Sequence, residues 1–76
     1  MLIAQQIRAA RGLLHCSARE LAESAGVNIS TIQRIERADG PVRGNIETLR
    51  RIQDALEAAG VEFLEDGLPG VRLRKA

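Results

Sequence analysis

Aromatic side chains are almost missing from this chain: Phe63 stands alone, with no Trp and no Tyr among 76 residues. That argues against a surface that holds single-stranded nucleic acid by stacking bases on aromatic rings. Cysteine is as scarce. Cys16 has no second cysteine to pair with, which excludes an intramolecular disulfide and a zinc finger; its expected role is that of a small buried apolar residue. No apolar run approaches the length of a membrane span, and no charged segment followed by an apolar stretch opens the chain, so a soluble, cytoplasmic protein is expected. One His, one Cys and carboxylates without convergent spacing offer no nucleophile, base or metal cluster. Neither an enzyme nor a metal or cofactor site is expected.

What is present points to one small domain. Apolar residues, mostly Ala, Leu, Ile and Val, make up 45% of the chain, enough for a core and too much for a disordered segment. Net charge is only +1, but the charge is segregated. Residues 1–53 carry eight Arg against five acids, residues 54–71 carry five acids and no base, and Arg72, Arg74 and Lys75 close the chain. A cationic front half fits a polyanion-facing surface, and solvated charge on ordinary helices explains it equally well.

The apolar period then places the elements. Ile3, Ile7, Ala10 and Leu14 form the stripe of a helix over about 2–13, with Gly12 and the residues after it bringing it to an end. Ser17, with Glu20 three positions on, reads as a capping box for a second helix whose buried face is Leu21, Ala22 and Ala25. Gly26 supplies the positive φ that a helix end needs, and Val27 reaches back to the core. Asn28 caps a third helix, about 29–38, in which Ile32 and Ile35 face inward and Ser30, Thr31, Gln33, Arg34 and Arg37 face outward. After the loop at Asp39, Gly40 and Pro41, Asn45 caps a fourth helix, about 46–59, with Ile46, Leu49, Ile52, Leu56 and Ala59 as its stripe and Gly60 as its stop. Alternation then replaces helical spacing: Val61, Phe63, Val71 and Leu73 flank a turn, predicting a hairpin of 61–64 with 71–74. A lone hairpin is marginal in water, so it must pack on the helices or pair with a second copy.

The unit from Ser17 to Arg37 resembles the helix-turn-helix of the Cro and phage-repressor (XRE) family. The resemblance is carried by Glu20-Leu21-Ala22, Ala25-Gly26-Val27, and Ser30-Thr31-Ile32 leading to Arg34-Ile35-Glu36, together with Ile7 to Arg11 and the fourth helix, over about residues 3–59. It implies a mainly α fold: a four-helix repressor-like DNA-binding domain at 1–60, here followed by a short C-terminal β-hairpin at 61–76; that hairpin or the fourth helix is the expected interface of a dimer. It also implies a transcriptional regulator that reads the DNA major groove with its third helix. By position in that motif, Ile29, Ser30, Gln33 and Arg34 are the base readers. Arg pairs with guanine and Gln with adenine; Ile29 fits a thymine methyl or the core, and Ser30 a base or a phosphate. Ser17, Arg19, Asn28, Thr31, Arg37 and Arg43 are the phosphate contacts, although each Arg taken singly fits a solvated side chain as well.

Two positions depart from the family. Its second helix commonly begins with a phosphate-binding Gln that braces a base reader; Ala18 stands there, so that contact is missing or replaced by Ser17 or Arg19. A Gly often precedes that helix where this chain has His15, so the local turn is expected to differ. The family also implies an ion pair between Arg11 and Glu36, bracing the first helix to the third. One reading helix gives little affinity, so a homodimer on half-sites about 34 Å apart is expected, acting as a repressor. The rival is an antitoxin or adaptor whose acidic segment and tail bind a partner protein.

Overall fold

The computed structural model describes residues 4–37, 44–64 and 67–74. Four helices are followed by one antiparallel hairpin: α1 (Ala4–Leu14), α2 (Ala18–Ala25), α3 (Ile29–Arg37), α4 (Ile46–Ala58), β1 (Val61–Leu64) and β2 (Gly70–Leu73). Ile3, the turn at 39–41 and Arg43 lie outside the described residues.

Each helix contributes residues of its predicted stripe to the interior. Ile7 and Ala10 from α1, Leu21, Ala22 and Ala25 from α2, Ile32 and Ile35 from α3, and Ile52 and Leu56 from α4 meet in one core. α2 packs on both α3 and α4, and its buried alanines add little bulk to that contact. Val27 packs against this core from the turn, as expected.

Three local details differ from the sequence reading. α1 runs through Gly12 to Leu14, because the exposed Gly12 keeps helical backbone and the chain turns only at His15, with φ 53°. His15 N–H donates to the Gly12 carbonyl at 3.3 Å and Cys16 N–H to the Arg11 carbonyl at 2.9 Å. These are the two bonds of a Schellman ending, with histidine where glycine is usual. Ile46 is not part of the buried stripe of α4. It is 77% exposed, since the first residue of the helix projects past the core, and Ala59 at the other end is also exposed. Leu49 and Ala55 are the residues that pack beside Ile52 and Leu56.

The hairpin pairs Val61 with Leu73 and Phe63 with Val71, so β2 begins one residue earlier than the alternation suggests. It packs on α1 and α4. Val61 is buried in the helical core, and Phe63 and Val71 pack against it. Gln6, only 3% exposed, donates its Nε2 to the Gly70 carbonyl at 3.0 Å and to the Leu64 carbonyl at 3.4 Å. A buried amide held this way fastens α1 to the pair of residues at the turn end of the hairpin.

Candidate nucleic-acid interface

The α2–turn–α3 unit is held by its own capping groups. Ser17 Oγ accepts from Glu20 N–H at 3.0 Å while Glu20 Oε1 accepts from Ser17 N–H at 2.8 Å, the reciprocal bonds of a capping box. At the other end of α2, Gly26 sits at φ 70°, and Val27 N–H closes on the Ala22 carbonyl at 3.0 Å. A side chain at that left-handed position would be strained, which is why glycine serves there. Asn28 Oδ1 then accepts from Ser30 N–H at 2.9 Å and from Ser30 Oγ at 2.8 Å, starting α3.

With Ile32 and Ile35 buried, the helical repeat turns the other flank of α3 to solvent. Ser30, Gln33, Arg34 and Arg37 are exposed along it, and Thr31 is half-buried. Ile29 is half-buried and packs against the core, so only part of its side chain faces outward. Arg34 makes no side-chain hydrogen bond to another described residue, nor does Arg19, which is exposed on α2. Arg37 Nε donates to the Gln33 carbonyl at 3.3 Å. Ser17 and Asn28 are exposed at the starts of α2 and α3, with their side-chain oxygens engaged in capping. Arg43 lies outside the described residues.

Beneath that flank, one side chain joins three parts of the chain. Arg11 donates through Nε and Nη2 to the two carboxylate oxygens of Glu36, each at 2.7 Å, and through Nη1 to the Cys16 carbonyl at 3.0 Å. The Glu36 hydrogen bonds raise the Arg11 pKa further above its ordinary value, against the opposing effect of burial. The neighbouring Cys16 thiol is pushed up, first by burial and then by the charge of Glu20, so it stays protonated at neutral pH.

Arg8 was absent from the residues that sequence reasoning assigned to this surface. Its Nη1 donates to the Glu36 main-chain carbonyl. Together with Arg11, Ala18, Gln33, Glu36 and Arg37 it lines an open cleft of about 650 Å³ between α1 and α3. The i, i+3 spacing of Arg8 and Arg11 was the available signal, because it places both on one face of α1.

A capped helix, a glycine turn and a second helix with an exposed polar flank define a helix-turn-helix protein. The family model for helix-turn-helix proteins of the Cro/phage-repressor (XRE) type matches residues 7–63, and the chain belongs to that family of DNA-binding regulators. No curated protein matches the chain. Among the described residues, no helix is long and apolar enough to cross a membrane.

Proposed function

We propose that this protein is a sequence-specific, double-stranded DNA-binding repressor, acting in the cytoplasm as a homodimer. The observation that carries the reading is the exposed polar flank of α3. The hairpin packs on α1 and α4, which leaves that flank uncovered by the described chain. A helix with its side chains is about 10–12 Å across, which enters a major groove about 12 Å wide, and nine residues extend about 14 Å along it.

In this reading Ser30, Gln33 and Arg34 meet base edges, with the exposed part of Ile29 beside them. Ser17, Arg19, Asn28, Thr31, Arg37 and Arg43 meet phosphates and set the docking angle. Repression is favoured because occupying a promoter requires no surface other than the DNA-facing one. Dimerisation supplies the affinity that one short helix lacks. The hairpin suits the interface, since it presents Leu68 at 87% and Leu73 at 47% exposure.

Selection of bound sites from random duplex DNA by the purified protein tests the reading. The expected product is a palindrome with half-sites about one helical turn apart. Recovery of no common sequence would refute sequence-specific binding.

A further inference from the structure

We propose that Asn28 fixes Ser30 as an acceptor-only reader of the major groove, so that Ser30 selects a base edge bearing an amino group: the N4 amine of cytosine or the N6 amine of adenine. This deepens the DNA-binding reading and rests on it. Asn28 Oδ1 accepts the Ser30 backbone N–H at 2.9 Å, and that bond identifies the oxygen of the amide, since a backbone N–H only donates. The Ser30 hydroxyl lies 2.8 Å from the same oxygen. A carbonyl oxygen only accepts, so the hydroxyl must donate, and a serine hydroxyl has a single proton to give. What the exposed Ser30 Oγ still offers to a partner is its lone pairs. In the major groove these match the amines of cytosine and adenine, and they oppose O6 and N7 of guanine and O4 of thymine. Arg34, four positions on along the same exposed face, has donors only. The two readers, about one helical turn apart, are therefore of opposite polarity.

The test uses the full chain on its selected operator. Site selection with Ser30→Ala first locates the base pair that Ser30 governs, as the position where preference is lost. Two analogues are then placed at that pair, one lacking the exocyclic amine and one a purine with carbon in place of N7. Deleting the amine is expected to weaken the unsubstituted protein about two- to tenfold, the worth of one neutral hydrogen bond, and to leave Ser30→Ala unaffected. Deleting N7 is expected to cost both proteins equally. Asn28→Gly removes the amide carbonyl, and glycine is tolerated at a helix cap, so folding is preserved. The freed hydroxyl then donates as readily as it accepts, and the penalty for reversing the base pair should shrink. Any phosphate contact of the Asn28 amide is lost from both orientations alike, so their ratio isolates the hydroxyl. The analogue comparison stands without this variant. A cost of N7 deletion confined to the unsubstituted protein would show a donating hydroxyl and overturn the proposal. So would a Ser30→Ala selection that keeps the preference at every position, or a reversal penalty that Asn28→Gly leaves unchanged. Failure of the unsubstituted protein to select any sequence would instead sink the DNA-binding reading itself, and this proposal with it.

Discussion

Arg11 and Glu36 meet as a two-bonded fork that ties the last turn of α1 to the last turn of α3. Their side chains are 23% and 10% exposed, so most of the pair is withdrawn from water. The third Arg11 donor holds the Cys16 carbonyl in the link between α1 and α2. Arg11 thus braces the candidate reading helix alongside the burial of Ile32 and Ile35 and the Arg8 bond to the Glu36 carbonyl.

Glu36→Ala is expected to lower stability by roughly 1–3 kcal/mol, since a partly buried Arg11 loses its partner. Urea denaturation at neutral pH measures this. A midpoint equal to that of the unsubstituted protein would show that the fork contributes nothing.

His15 occupies a left-handed position that disfavours any residue with a Cβ. Relief of that strain is worth about 1–2 kcal/mol, and the extra freedom of glycine in the unfolded chain takes back roughly 0.5–1 kcal/mol. His15→Gly should therefore raise stability by up to about 1.5 kcal/mol, read as a higher melting temperature. A lower one would mean that the imidazole makes a contact that outweighs the strain.

Gln6→Ala should loosen the hairpin before anything else. The loss of two side-chain bonds in a buried place costs about 1–3 kcal/mol. Amide exchange at residues 61–64 and 70–73 should accelerate, while α2 and α3 keep their protection. Equal acceleration in every element would show that the hairpin and helices open only together.

Glu62 gives a pH dependence of known sign. Arg72 Nε donates to Glu62 Oε1 at 2.8 Å, and this hydrogen bond holds the carboxyl below its usual range. A carboxylate with a depressed folded pKa adds stability that is complete above its unfolded pKa and is lost as pH falls through the folded one. The pair is exposed, so the effect is small and weakens with salt. Titration of the Glu62 side chain by NMR should show a lowered midpoint that returns to the ordinary range in Arg72→Gln. The same midpoint in both proteins would mean that the pair does not persist in solution.

Arg34→Ala should relax base preference at one operator position by about 1–3 kcal/mol, with other positions unaffected. Competition binding against single-position operator variants distinguishes this from a uniform loss across all sequences, which would place Arg34 on a phosphate.

The two helices of the DNA-binding unit were legible because their ends are written in adjacent residues. Ser17 and Glu20 are three positions apart, and Gly26 sits at the turn itself. The Arg11–Glu36 pair was expected from family resemblance, since nothing in the spacing of residues 25 positions apart reveals it. Gln6 was not singled out. A polar residue beside an apolar stripe normally faces water, and only the hairpin carbonyls above α1 make its burial favourable. Ile46 was misplaced for the opposite reason: periodicity assigns a face but does not say how far along the helix the core extends.

By itself the sequence determined the local elements: four amphipathic helices, their caps, the tight turn and an alternating pair of strands. Those follow from interactions spanning a few residues, which backbone geometry and apolar spacing dictate. Only the tertiary structure decided that Arg8, Arg11, Gln33 and Arg37 surround one cleft and that Gln6 holds the hairpin 64 positions away. Such contacts form between side chains distant along the chain. Their geometry is set by how the helices pack, a property that no short window of residues contains.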